Sequence, residues 1–412
     1  MSTETVLLCP RPYAWPSGKL MLLPLLPTRK FSASLPTELW SKIIADIGIQ
    51  STRCLLSPML VCKRFKAIVD PLLYSCVSFE HYSSLVAFSK RIHDADKAWD
   101  SLRRSLYSAP GRWVQSLDIS RLELYRQKPK YHNLEIMTLQ LDSLLNSLFP
   151  LLPFLSEFFM NPTFVLSRRA VISLTERYGV DKLRSLRGIF YTPSQGLPRE
   201  ALVDLLRRCP NLEELEVIGP DLDPIEHDIV STDPSCITAS SPLMLSLIST
   251  PLPSLTKLTI TPYDDIPYSA SSFFLSNHGE TLHSLLLLTR KSWPTRLHAS
   301  PINILQRSPF LHHLSLELPL PALELSENHN LQILSIPKPG VSALALILRL
   351  LPHLPSLKAI RIRDVRWLRK GMGLRAMETG VQGEMQEWRR RLERRGIRVL
   401  DSEWNDADSA SC

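Results

Sequence analysis

From residue 114 to residue 362, apolar residues return in short windows of the form L-x-x-L-x-φ, where φ is apolar. The windows open at Val114, Leu155, Leu212, Leu255, Leu282, Leu311, Leu331 and Leu357, with an imperfect one at Leu183 that ends on Gly188. Apolar and polar positions alternate inside each window, which predicts a short, half-buried strand. So loose a pattern is common in a leucine-rich chain, and the spacing carries the argument. From Leu155 onward the windows open 28, 29, 43, 27, 29, 20 and 26 residues apart, mostly within the period of stacked repeat units. The step of 43 holds a polar insertion, Asp221 to Ser241.

Helical periodicity fills most gaps. Ala201, Leu202, Leu205 and Leu206 share one face within residues 198–208. Leu134, Met137, Leu141, Leu144, Leu145 and Leu148 keep helical spacing over a longer run, so that segment reads as a helix instead of another strand. Near the end, Met385, Trp388 and Leu392 share a face, Glu387 can pair with Arg391 one turn on, and Gly396 supplies a stop. A unit of this kind cannot bury its own apolar side, so neighbours stack into a parallel sheet with a continuous core. Alternation then turns Glu214, Glu216, Lys257, Thr259, Ser284, His313, Ser315, Ser335 and Arg361 outward, toward whatever is bound.

Residues 35 to 74 follow a different pattern. Leu39, Ile43, Ile44 and Ile47 lie on one face of a short helix; Pro36 suits its first turn, Glu38 complements its dipole, and Gly48 is a stop. Val61, Cys62, Phe65, Ile68 and Val69 make a second apolar face, closed by Asp70-Pro71 because the residue before proline resists the helical conformation. Two or three short helices in about 45 residues are near the smallest core that stands without a disulfide, a metal or a partner. A partner is the expected supplement.

The combination of Leu35-Pro36-x-Glu38-Leu39, Ile43-Ile44, Val61-Cys62-Lys63-Arg64-Phe65 and Pro71-Leu72-Leu73-Tyr74 resembles the F-box. The resemblance implies a three-helix module that docks on the Skp adaptor and, through it, on a cullin. It assigns Leu35, Pro36, Glu38, Leu39, Ile43 and Ile44 to the adaptor interface, joined by Val61, Cys62 and Phe65 from a segment that partly packs inside the module. The Asp-Leu pair often found in the middle of that motif is replaced here by Thr52-Arg53-Cys54-Leu55-Leu56. Apart from that interface, Cys62 reads as a small buried apolar group and not as a reactive thiol.

The repeats resemble the leucine-rich repeats carried by one large class of F-box proteins, although the asparagine usual in that repeat is missing. The expected architecture is therefore an α/β chain: a mobile tail over 1–33, an F-box over 34–78, a helical linker over 79–112, a leucine-rich-repeat-like solenoid with a C-terminal capping helix over 113–404, and a tail over 405–412. The resemblance implies the substrate receptor of a Skp-cullin-F-box ubiquitin ligase, with an unknown protein substrate on the surface that carries Glu214, Glu216, Lys257, His313 and Arg361. The alternative is a repeat scaffold that uses the F-box without delivering a substrate, or that binds RNA through its basic end.

Composition narrows the classes further. The 33 prolines against 14 glycines punctuate many short elements. The net charge of +8 comes almost entirely from residues 361–398, with 12 Lys and Arg against 5 Asp and Glu. Such a run reads as the solvated face of a capping element, so nucleic acid is not the expected partner. Seven cysteines without a CxxC pair suit a reducing compartment, cytoplasm or nucleus, and neither a disulfide framework nor a metal site. No apolar run of membrane-spanning length is present, so no membrane is expected among the partners. There is no phosphate-binding loop, no GxSxG elbow and no ligand-spaced histidine pair, so neither enzymatic activity nor a cofactor is expected.

Overall fold

A computed structural model of the chain describes residues 35–50, 52–98, 109–123, 131–161, 164, 166–190, 201–218, 250–260, 270–287, 302–318, 320–325, 327–367 and 380–407. The expected tail over 1–33, the insertion Asp221 to Ser241 and most of the second half of the 79–112 segment lie outside the described residues. The chain divides into two compact units, Met1–Val69 and Asp70–Cys412.

In the first unit, α1 (Thr37–Gln50) is followed by a 3-10 turn (Thr52–Leu55), α2 (Leu56–Met59) and the start of α3 (Lys63–Ser75). The carbonyl of Pro36 accepts the N–H groups of Leu39 and Trp40, which places the proline just ahead of the helix. Gly48 does not end α1. A Cβ there would stand 3.1 Å from Leu55 Cδ1, so the missing side chain lets the following turn pack against the helix. Nor does Pro71 end α3, which carries it in its interior. The ring removes one backbone hydrogen bond there, two residues after Val69, where the first unit ends.

Among the described residues of this unit, Ile44, Leu55 and Val69 are the buried apolar side chains. The Trp40 and Phe65 rings meet at 4.7 Å. Arg64 donates to the carbonyl of Leu35 at 3.0 Å and to Thr37 Oγ1 at 2.8 Å, which ties the entry of α1 to the first turn of α3.

The second unit is an α/β sheet of eleven parallel strands in chain order. They are β1 (Cys76–Ser78), β2 (Ser116–Ile119), β3 (Glu157–Met160), β4 (Ser185–Phe190), β5 (Glu214–Ile218) and β6 (Lys257–Ile260). The rest are β7 (Ser284–Leu287), β8 (His313–Ser315), β9 (Ile333–Ile336), β10 (Ala359–Ile362) and β11 (Arg398–Leu400). All nine apolar windows are strands. Sequence gave no sign of β1 and β11, and β1 alters the domain boundaries: Cys76–Ser78, expected at the end of the helical module, opens the sheet instead. The expected linker likewise contributes α4 (Tyr82–Lys97), whose Leu85, Ser89 and Ile92 are buried, Leu85 and Ile92 within the core of the sheet.

The remaining helices occupy the connections: α5 (Tyr131–Leu148), α6 (Arg168–Glu176), α7 (Ala201–Arg207), α8 (Ala270–His278), α9 (Ile304–Arg307), α10 (Val341–Leu350) and α11 (Gly380–Glu393). They share a core with one face of the sheet. Register aligns a single apolar row across it, from Val77 and Leu117 through Leu215 and Leu314 to Ile360 and Val399. Each leucine of that row contributes about 2 kcal/mol by leaving water. At the end, α11 buries Met385, Trp388 and Leu392, Arg391 pairs with Glu387 at 2.6 Å, and Gly396 turns the chain at φ 74°.

The imperfect window has a local cause. Register slips between Leu186 and Ile189, so that Ile189, and not Gly188, takes the place opposite Val217. Gly188 adopts φ 68° in this bulge, a conformation open to glycine.

Candidate functional site

Two surfaces carry the residues singled out by sequence. On the first unit, Ile44 points inward at 2% exposure, while Leu39, Ile43 and Ile47 on the same helix are 45%, 41% and 36% exposed. Leu60 and Val61, between α2 and α3, reach 86% and 68%. Pro36 and Glu38 are exposed, Leu35 is half-buried, and Phe65 is half-buried against Trp40. Ile44 therefore belongs to the core of its unit and is not part of this surface. Cys62 is exposed and not buried as expected. Its Sγ accepts the N–H of Phe65 at 3.4 Å, in the first turn of α3, where helical N–H groups lack backbone partners.

The second surface is the face of the sheet opposite the helices, here termed the open face. Strand pairing places Glu214, Lys257, Ser284 and His313 in one row, and Glu216, Thr259, Ser315, Ser335 and Arg361 in the next but one. All five expected substrate-facing residues, Glu214, Glu216, Lys257, His313 and Arg361, stand on this face.

Near its middle, Arg187 pairs with Glu214, which also accepts the Ser185 hydroxyl at 3.1 Å. The Arg187 guanidinium lies 4.9 Å from the centre of the Phe159 ring. Burial raises the carboxyl of Glu216 above the ordinary range; Arg187 and the N–H of Gly188 oppose the rise and Glu214 adds to it.

The far end of the face differs from the sequence expectation. Ser315 and Ser335 are fully buried, not outward and free. His313 Nε2 and Ser335 Oγ share a hydrogen bond of 2.8 Å, so the imidazole reaches across to the neighbouring strand. Residues 401–407 return onto this end as a strap: Trp404 lies 4.2 Å from the Arg361 guanidinium and 5.8 Å from the His313 ring. Arg361 donates to the carbonyl of Ser402 at 2.6 Å. Asp401 pins the strap, accepting N–H groups from Glu403 and Asn405 on one oxygen and from Trp367 on the other. Asp406 bridges back to Leu400.

Burial, with the positive charges of Arg361 and Arg363, pushes the His313 imidazole down to about 4. The strap was missed in the sequence because its contacts are long-range; turn-forming Asp401 and Asn405 were the local signal.

No described helix is long and apolar enough to cross a membrane. No model of a known protein family matches the chain, and no curated protein does.

Proposed function

We propose that the chain is a receptor subunit of a Skp-cullin-F-box ubiquitin ligase. The first unit, an F-box, holds the Skp adaptor through Leu35, Pro36, Glu38, Leu39, Ile43, Val61, Cys62 and Phe65. The second, a degenerate leucine-rich-repeat array, holds a protein substrate on its open face. The observation that carries this reading is the exposure of Leu39, Ile43, Leu60 and Val61 in a unit whose described residues bury only Ile44, Leu55 and Val69 as apolar core. Apolar side chains gathered on a small unit mark a protein contact. Such a subunit acts by proximity: a substrate lysine held near a charged conjugating enzyme reacts as if intramolecularly, and the chain itself needs no catalytic group. Cytoplasm or nucleus is the compartment that suits this role.

Co-purification of the full chain with the Skp adaptor and a cullin tests the reading. A Leu35→Ala, Pro36→Ala double variant that keeps its thermal transition should lose the adaptor. Equal recovery of adaptor with the variant, or none with the intact chain, would overturn the assignment. Recovery of adaptor without cullin would favour a scaffold role instead. The basic end is less well suited to RNA: Arg391 and Arg389 are each matched by a glutamate one turn away, Glu387 and Glu393.

A further inference from the structure

A buried polar atom without a partner is rare in a folded chain. Among the described residues, Ser315 Oγ, Arg361 Nε, Arg363 Nε and Ser402 Oγ are four such atoms, and they gather at the strap-covered end of the open face. Ser315 and Arg361 fall in one register row across β8, β9 and β10. Arg363, two positions beyond Arg361, points to the same side. Ser402 is held to Arg361 through its carbonyl. Ser315 is wholly buried although it stands on the polar side of the sheet.

Guanidinium nitrogens only donate, each hydroxyl can donate or accept, and none of the four atoms is met by a partner. The carboxylates nearby are already engaged. Glu317 accepts from Arg363 at 2.7 Å, and Asp401 accepts three backbone N–H groups. Arg361 is met by a carbonyl and an indole face. The two cations are thus matched in number by two carboxylates, Glu317 and Asp401, and what is left over is the set of unused donors.

We propose that this end of the open face receives an anionic side chain of a partner protein, carboxylate or phosphoryl, whose oxygens supply the acceptors that Arg361, Arg363, Ser315 and Ser402 lack. Four unpartnered atoms at one end of the sheet suit one anion, not a run of nucleic-acid phosphates. Trp404 is the cover that yields. Its backbone φ of 67° is strained for a residue with a side chain, and both that strain and the unmet donors raise the free energy of the covered state. The inference does not rest on the adaptor reading and stands whatever the first unit binds.

Inorganic phosphate and acetate, titrated into the full chain at constant ionic strength and followed by calorimetry and by the His313 ring resonances, are the first probes. Saturable binding of at least one is expected, and the His313 midpoint should rise from about 4 as the anion offsets the guanidinium field. Arg361→Gln should weaken binding about tenfold, the loss of one charge-assisted hydrogen bond. Should that variant fail to fold, Ser315→Ala reads the same site with a smaller change and should also weaken it. Trp404→Gly, which relieves the strain and removes the cover, should tighten it.

Peptides carrying one phosphoserine or one glutamate then distinguish the two sources of the anion. Chloride-like, unsaturable behaviour, binding unchanged by Arg361→Gln and Ser315→Ala, or weaker binding in Trp404→Gly would each overturn the proposal. Arg361-dependent binding of a single-stranded RNA oligonucleotide in place of either peptide would overturn it as well.

Discussion

A Cβ added to Gly188 would stand 1.9 Å from the carbonyl oxygen of Met160 on the adjoining strand. That oxygen is backbone and cannot swing aside, and the φ of 68° disfavours any other residue independently. Gly188→Ala is therefore expected to cost about 3 kcal/mol or more, seen as an earlier unfolding midpoint in urea. An unchanged midpoint would mean that β4 can lose its bulge without harm. Because the bulge N–H also faces Glu216, the variant should perturb the middle of the open face too.

Gly188 also illustrates how far the sequence could be read. The period of the apolar windows located nine strands, and register row by row explains why: each window's second leucine has to meet its counterpart in the next unit. A glycine in place of the last apolar residue looked like decay of the pattern, whereas it marks a slip that lets Ile189 take the apolar place. β1 and β11 were invisible because three residues with one or two inward side chains hold too little periodicity. The outward row was legible as far as alternation goes. Burial of Ser315 and Ser335 was not, since it depends on His313 crossing between strands and on Trp404 arriving from far along the chain. In the first unit the apolar stripe of α1 was plain, but the stripe alone could not say that Ile44 turns inward while Ile43 stays outside.

That division between Ile43 and Ile44 gives a direct test. Leu39→Glu with Ile43→Glu should leave the unfolding transition within about 0.5 kcal/mol of the parent, as surface changes do. Ile44→Ala should cost about 2–5 kcal/mol, because it empties space in a core of few residues. Calorimetry of the full chain decides between them. The reverse ranking would mean that α1 is rotated from the orientation described.

Arg177 is buried, and its guanidinium donates to the carbonyls of Leu152 at 2.8 Å and Leu155 at 2.6 Å in the turn that leads into β3. Its burial pushes its pKa down to about 10, so it remains charged at neutral pH. Arg177→Met would leave the Leu155 carbonyl without this donor, at about 1–3 kcal/mol, and the Leu152 carbonyl with the N–H of Leu155 at 3.3 Å. Arg177→Lys should recover little, since an ammonium lacks the fork that spans two acceptors. Stabilities of the two variants in urea should be similar, and both should fall well below the parent.

Cys209 lies beside Arg177, yet burial outweighs that positive charge and pushes its thiol up to about 12. Thiolate is the reactive form, so Cys209 should resist alkylation in the native chain and react only after unfolding. Cys54, Cys62 and Cys76 are exposed and should be modified first. Peptide mapping after brief treatment with iodoacetamide checks the order. Early labelling of Cys209 would mean that the helix-side core opens readily around α7.

His313 sets the pH dependence of the far end of the sheet. Its folded-state pKa of about 4 lies below the ordinary 6.5, so between those values the unfolded chain binds more protons and stability rises with pH. The contribution is complete above about pH 6.5 and is lost as pH falls toward 4. A shift of that size corresponds to at most about 3 kcal/mol, less any screening by solvent. The groups that face the ring are Ser284 and Ser335 on the flanking strands, the Arg361 and Arg363 cations, and Trp404. His313→Gln keeps a hydrogen-bonding group without the titration. The difference in stability between parent and variant should therefore shift against the parent from pH 7 to pH 4, while the opposite trend of Glu216 cancels between the two proteins. A difference that is flat across that range would show that His313 is not held neutral by its surroundings.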